Sequence, residues 1–415
     1  MSTIETATDY GLKEYLPLPK EDRRGLALAL SGGGYRATLF DLGALRRLNE
    51  LGVLTRLTTI VSVSGGSVAS ALLARHRLEH PDEWTAQRPI SRFEEEVAEP
   101  LREFARHDIR THAVLARFYP WNWFRRGVSI DELAKRLAAG PAGRHPLRAL
   151  GGDPSFVYCA TELRFRTQWR FDTGRGRIGS ELAGFAPISS YWTLARAAAA
   201  SACFPFAFTA MRVPAEARPP GTYRGVDRDR LVRQLELTDG GLYDNMGVEP
   251  VWRDHEAVLV SDASPTFKYA PAVFGLAWGG LRYAITLLEQ STDVRKRWLI
   301  SSFLRGDLEG AYWGIGSLPT NYGHDSGLPV YSDSFIADFI SQVRIDFDAF
   351  SPGEACVLEN HGYLLAEIAM RRHAARLVQG AWPPPSVPHP EWMDEDKARR
   401  ALAESAKTKL FARYR

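Results

Sequence analysis

Ser64 stands in the stretch Val61-Ser62-Val63-Ser64-Gly65-Gly66-Ser67, between an apolar, β-branched run and a pair of glycines. A serine hydroxyl attacks a carbonyl only when a base takes its proton and a tight turn lifts its oxygen clear of the backbone. The run through Thr58, Thr59, Ile60, Val61 and Val63 has the pattern of a buried strand, and an apolar pattern that suits a helix resumes from Val68 to Leu73. Strand, serine turn and helix together make a nucleophile elbow. The helix start adds unpaired N–H groups and positive potential beside any negative charge that develops there.

A second glycine cluster lies upstream. The apolar run from Leu26 to Leu30 ends in Ser31-Gly32-Gly33-Gly34-Tyr35-Arg36, and Leu39, Leu42, Leu45 and Leu48 follow with helical spacing. Three glycines at a helix start let backbone N–H groups converge on an anion. In acyl transfer that anion is the tetrahedral oxyanion. A phosphate or dinucleotide site is the competing use of such a loop. Gly32-Gly33-Gly34 does not match G-x-G-x-x-G, and no Gly-Lys-Ser/Thr follows it, so neither nucleotide fingerprint is met. Two strand–glycine–helix turns inside one unit of roughly 50 residues are more specific than either alone.

The base is open to two readings. Leu235-Glu236-Leu237-Thr238-Asp239-Gly240-Gly241 reads as a short strand ending in a carboxylate and two glycines. On its own a solvated Asp-Gly turn accounts for it. Set against Ser64, Asp239 could take the proton directly, as a dyad. A triad in the order Ser, Asp, His is the alternative, with His255, His324 or His361 as base. His361, in Glu359-Asn360-His361-Gly362-Tyr363, is the best triad candidate, although it lies in a helical stretch where packing or capping is the commoner role. A third reading makes Gly32–Gly34 a phosphate cradle and leaves Ser64 without a covalent role.

Composition bounds the setting. With 415 residues, 45% of them hydrophobic, the chain can bury a sizeable core as one large domain with insertions. The 52 basic and 49 acidic residues leave a net charge of +3, which excludes a strongly basic nucleic-acid binder. Cys159, Cys203 and Cys356 are widely spaced and suit a reducing compartment, and the ten histidines show no ligand spacing, so no metal or cofactor is expected. The first residues lack a basic region followed by an apolar one, and no run of about 18 apolar residues occurs, so neither a secretory signal nor a membrane span is expected. The stretch 271–290 is interrupted by Arg282 and reads as an amphipathic helix.

Along the chain, 1–24 reads as a polar extension and 25–380 as the catalytic domain. Residues 79–152 form a helical, arginine-rich insertion that carries Phe118-Tyr119-Pro120-Trp121-Asn122-Trp123-Phe124-Arg125-Arg126. Aromatics beside arginines suit a membrane–water interface, and packing onto the core is the simpler use of them. Residues 155–161 and 167–171 predict two strands in a hairpin, 191–202 an alanine-rich helix, 257–261 a strand and 283–313 a helix. Ser351-Pro352-Gly353-Glu354 resembles a capping box before a helix over 351–376. Residues 381–415 read as a Pro-rich linker and a charged helix. Strands alternating with helices predict an α/β domain around a mainly parallel sheet.

These residues resemble the patatin-like phospholipases. Gly32-Gly33-Gly34-Tyr35-Arg36 is similar to the family's G-G-G-x-R/K loop, Ser62-Val63-Ser64-Gly65-Gly66 to its G-x-S-x-G elbow, and Asp239-Gly240-Gly241 to its D-G-G/A motif. Ala200-Ser201-Ala202-Cys203-Phe204-Pro205 resembles its alanine-serine-x-x-phenylalanine-proline run. The resemblance covers 25–247, and more loosely the chain through Tyr363. It implies a three-layer α/β sandwich and a Ser64–Asp239 dyad without histidine. It also implies an oxyanion hole from Gly32, Gly33 and Gly34, helped by Gly65. Arg36 would steady the loop or meet a lipid phosphate, with a surface salt bridge as the plainer use of an arginine. Phospholipid or another acyl ester at a peripheral membrane surface is the implied substrate, and the cysteines and the lack of a signal or span make a cytoplasmic setting the expectation. Two departures stand out: Ser62 replaces the first elbow glycine, and Ala37 stands where the loop has a further glycine.

Overall fold

The computed structural model describes residues 17–116, 119, 122, 127–205, 207–219, 228–265, 276–323 and 327–407. Ten strands form one sheet: β1 (Leu26–Leu30), β2 (Thr59–Val63), β3 (Ser155–Glu162), β4 (Thr167–Asp172), β5 (Arg177–Ser180), β6 (Gly184–Pro187), β7 (Met211–Arg212), β8 (Glu236–Asp239), β9 (Ala257–Asp262) and β10 (Glu309–Gly314). The order β10-β9-β1-β2-β3 is parallel throughout. Beyond β3 the sheet turns antiparallel, through the expected β3–β4 hairpin and on to β5 and β6. β8 also joins β3 in antiparallel sense, with β7 outside it. The sheet is therefore mixed, with its parallel half running from the β10 edge to β3.

β1 shows why the middle strands read as unbroken apolar runs. All five of its residues are buried, because helices cover both faces of the sheet. Leu26, Leu28 and Leu30 enter one core, while Ala27 and Ala29 enter the other. The first core contains residues of α1 (Gly34–Glu50), α2 (Gly65–Glu79), α3 (Leu194–Ser201) and α5 (Pro352–His373). The second includes Leu299 of α4 (Leu276–Leu304). The result is three layers: helices, sheet, helices.

α5 begins with the capping box its sequence predicts. Ser351 Oγ accepts from the Glu354 N–H, and the Glu354 carboxylate accepts from the Ser351 N–H. It crosses α1 backbone to backbone: a Cβ on Gly362 would lie 1.9 Å from the Phe40 carbonyl oxygen. One expected helix is corrected. The stretch 283–313 leaves the helix at Leu304 and becomes β10. An apolar strand buried on both faces carries no readable period, so the change was hidden.

The insertion between β2 and β3 is helical, with helices at Pro81–Thr85, Glu99–Ala105, Ile109–Leu115 and Val128–Ala139. Of 118–126 only Tyr119 and Asn122 are among the described residues, and Tyr119 is exposed. The Pro-rich stretch lies along the core. Arg47 Nη2 donates to the Pro383 carbonyl at 2.7 Å, the Ser386 N–H donates to Tyr363 Oη at 2.8 Å, and His389 Nε2 lies 2.9 Å from Glu359 Oε2. No helix among the described residues is long and apolar enough to cross a membrane.

Candidate active site

Two strands that share one edge of β3 bring Ser64 and Asp239 together. β2 occupies that edge as far as Cys159, which pairs with Val63. β8 then takes the same edge from the opposite direction, with Asp239 opposite Ala160. The strands meet end to end, so the chain must turn away at Ser64 and at Asp239.

At Ser64 the turn is strained. Its φ of 49° and ψ of −116° lie where a residue with a Cβ seldom goes, and α2 starts at the next residue. Such a conformation costs about 1–3 kcal/mol and persists only where its surroundings enforce it. Beneath the elbow, the Ser64 N–H donates to Ser201 Oγ at 3.0 Å. Ser201 Oγ in turn donates to the Cys159 carbonyl at 2.6 Å and lies 2.8 Å from Ser67 Oγ. Ser62, where the family pattern has glycine, lies wholly buried with its Oγ 3.0 Å from Ser67 Oγ. Its hydroxyl is satisfied inside this group.

Asp239 is buried beside Ser64. Its Oδ1 accepts from the Gly241 N–H at 2.8 Å, which fixes the carboxylate plane. Its Oδ2 is buried with no hydrogen-bond partner. Burial pushes the carboxyl up to about 6, while the nearby Ser64 hydroxyl and the Gly241 N–H pull it back down. The hydroxyl is close enough to act on the carboxyl, yet no hydrogen bond of ordinary geometry joins them; such bonds often tighten only when substrate is bound.

The glycine loop lies directly against the elbow. A Cβ on Gly65 would stand 2.0 Å from the Gly34 carbonyl oxygen, and Gly34 itself has φ +58°. Only glycine permits this contact and this turn. A Cβ on Gly32 would lie 3.1 Å from Ser64 Cβ. Among the described residues, the N–H groups of Gly33, Gly34 and Gly65 have no acceptor, whereas the Gly32 N–H donates to the Asn245 carbonyl at 2.9 Å. The expectation that Gly32 supplies a free donor is therefore corrected, while the N–H groups of Gly33, Gly34 and Gly65 stay open among the described residues.

Arg36 takes the loop-steadying one of the three uses expected for it. It is buried behind the loop, where Nη1 donates to the Val343 carbonyl at 2.9 Å and Nη2 to the Ala263 carbonyl. Burial lowers its pKa to about 10, with Asp262 opposing the shift. It ties the loop to two distant segments, so it neither meets a lipid phosphate nor forms a surface salt bridge.

No described histidine hydrogen-bonds to Ser64 or Asp239. His361 packs near Phe40 and Tyr331, and its Nε2 lies 2.9 Å from the Ile315 carbonyl. Burial lowers its pKa to about 4. His255 contacts Thr59 Oγ1 at 2.8 Å, at the opposite end of β2 from Ser64. His324 lies outside the described residues. One cluster resembles a metal site: His76, His80 and Glu96 offer ligand atoms within 4.8 Å of one another. The Trp84 indole N–H donates into His76 Nδ1 at 3.1 Å, so the ring proton sits on Nε2, which faces Glu96 Oε2 at 3.0 Å. That nitrogen is a donor here and has no lone pair for a cation.

Comparison with known proteins matches the patatin-like phospholipase profile to residues 28–252, more than half of the chain. The chain belongs to the patatin-like phospholipase family. No curated protein sequence matches it. Human GIVD cytosolic phospholipase A2 is similar at 16% identity and a TM-score of 0.36, over 59% of this chain and 43% of that one. In complex with methyl gamma-linolenyl fluorophosphonate the same human enzyme matches at 14% identity and a TM-score of 0.41, over 96% and 62%. VipD from Legionella pneumophila matches at 14% identity and a TM-score of 0.35, over 86% and 68%. The chain thus spans less than half the length of the first of these structures.

Two residues of this patatin-like site escape a reading of the sequence. Ser201 bonds a backbone 137 positions away. Asn245, in the run after Asp239, donates from Nδ2 to Ser264 Oγ at 2.7 Å and to the Gly32 carbonyl at 3.3 Å, bracing the glycine loop. Both lie in stretches that carry the family resemblance, which is the only local signal for them. For Arg36, replacement by alanine strips two buried carbonyls of their donor. Urea denaturation of Arg36→Ala should show a loss of about 2–3 kcal/mol; an unchanged midpoint would contradict the bracing role.

Proposed function

We propose that the protein is a lipid acyl hydrolase that cleaves fatty acyl esters of phospholipids or lysophospholipids through Ser64 and Asp239. The observation that carries this reading is the buried, unpartnered Asp239 Oδ2 beside the hydroxyl of a strained serine at a helix start. A carboxyl pushed up to about 6 is ionised at neutral pH and still basic enough to draw a proton from an attacking hydroxyl.

In this mechanism Ser64 Oγ attacks the ester carbonyl and its proton passes to Asp239 Oδ2. The carbonyl oxygen becomes an oxyanion and takes hydrogen bonds from the open N–H groups of Gly33, Gly34 and Gly65, with the start of α2 adding positive potential. Each such donor is worth about 3–4 kcal/mol of barrier. Collapse breaks the ester bond, and the leaving alcohol receives the proton from Asp239. Water, deprotonated by the same carboxylate, then attacks the acyl-Ser64 ester; the acyl–Oγ bond breaks, Asp239 returns the proton to Ser64 Oγ, and the fatty acid leaves.

Delivery of substrate from a lipid surface is supported by exposed apolar side chains near this end of the sheet. Phe204 (38% exposed) adjoins Cys203, whose carbonyl accepts the Asp239 N–H. Ile345 (46%) adjoins Asp346, whose carbonyl accepts the Tyr35 N–H, and Leu163 (42%) follows the last residue of β3.

Release of fatty acid from phospholipid vesicles tests the reading. Ser64→Ala and Asp239→Asn should each lower kcat/KM by about 10³-fold or more while keeping the wild-type melting temperature. Activity within tenfold of wild type in either variant would rule out the dyad. The pH profile supplies an independent check. Because the base must be ionised, log(kcat/KM) should rise with unit slope below about pH 6 and level off above it. An inflection near 4, the range of an ordinary aspartate, would contradict a buried base.

A further inference from the structure

We infer that Ser201 is a positioning residue that holds the nucleophile and the base in register, a role that rests on the dyad reading. Ser201 is wholly buried at the last position of α3. Its side chain bonds Ser64 and its main chain the residue after Asp239. The hydroxyl accepts the Ser64 N–H at 3.0 Å, and the carbonyl accepts the Gly240 N–H at 3.1 Å. Two residues on, the Cys203 carbonyl accepts the Asp239 N–H at 3.2 Å and the Thr238 hydroxyl at 3.1 Å.

The chemistry suits the end of a helix. Carbonyls in the last turn of α3 have no partner within the helix and are free to accept from β8 and the turn after it. The Ser64 N–H faces the reverse problem. It is a buried donor at a turn whose backbone angles keep it out of the sheet ladder, and the hydroxyl of Ser201 is its acceptor. The hydroxyl hydrogen is spent on the Cys159 carbonyl at 2.6 Å, on the β3 residue that pairs with the end of β2. Ser201 therefore refers Ser64 and Gly240 to a common frame on β3. The alanines on either side, Ala197–Ala200 and Ala202, are all buried and leave room for this turn beneath both strand ends.

Ser67 provides the control. Its hydroxyl is buried in the same group, bonded to Ser62 and Ser201, and touches neither Ser64 N–H nor Gly240. Alanine in place of either serine removes one buried hydroxyl and should lower the melting temperature, more so for Ser201→Ala, which also orphans the Ser64 N–H. The two variants should separate in the second-order rate of modification by a fluorescent fluorophosphonate, measured from pH 5 to 8. Ser201→Ala should slow modification on the plateau by roughly 10- to 100-fold, because a displaced nucleophile loses its alignment. Its inflection should stay near pH 6, since the main-chain bonds to the Asp239 turn remain. Ser67→Ala should stay within about threefold of wild type, because Ser201 Oγ keeps its bonds to the Ser64 N–H and the Cys159 carbonyl. Wild-type rates in Ser201→Ala, or equal slowing in both variants, would overturn the inference. A wild-type protein that is not modified, or a Ser64→Ala variant that still is, would overturn the dyad reading and this inference with it.

Discussion

Two strands cannot occupy the same stretch of one sheet edge, and the site follows from that exclusion. β2 and β8 run toward each other along β3 and stop at neighbouring residues, Cys159 and Ala160. Each chain must leave the sheet there, and each leaves through a residue followed by glycines. Ser64 and Asp239, 175 positions apart, thus become neighbours because their strands end against each other. The parallel half of the sheet supplies the serine with a helix start, and the antiparallel half supplies the carboxylate. A wholly parallel sheet would bring no strand back from the far direction to face Ser64.

The same crowding explains the glycines. The loop after β1 and the elbow after β2 leave adjacent parallel strands, so their backbones touch where Gly65 meets the Gly34 carbonyl. That contact leaves no room for a side chain on Gly65, and the N–H groups of Gly33, Gly34 and Gly65 have no acceptor among the described residues. Holding this arrangement against a strain of about 1–3 kcal/mol falls to several buried hydrogen bonds of about 1 kcal/mol each. Ser201, Asn245 and Arg36 make them, and each reaches across from a different part of the chain.

What could be read from the sequence divides along this line. Ser64 and the two glycine turns were legible because strand, turn and helix are local patterns within a dozen residues, and Asp239 stood out from a plain Asp-Gly turn only through the family resemblance. The bracing groups were less legible, because their partners are distant: for Arg36, steadying the loop, a lipid contact and a surface salt bridge are equally open in the sequence, and only the Val343 and Ala263 carbonyls decide among them. Gly32 looked like an open donor for the same reason, since Asn245 lies 213 positions away. His361 showed the converse. It satisfied the residue order of a triad, but its helix crosses α1 and carries the ring into the core. β10 was hidden because burial on both faces erases the alternation that marks a strand, and the mixed character of the sheet depended on pairings that no local pattern encodes.

The central claim is that Ser64 becomes nucleophilic through Asp239 alone. Its most direct test is peptide mass mapping after saturating exposure to an alkyl fluorophosphonate, for the wild type and Asp239→Asn with matched melting temperatures. The account predicts one phosphonyl adduct, on the peptide containing Ser64, in the wild type and essentially none in Asp239→Asn. An adduct on another residue, or full modification of Ser64 without the carboxylate, would contradict it.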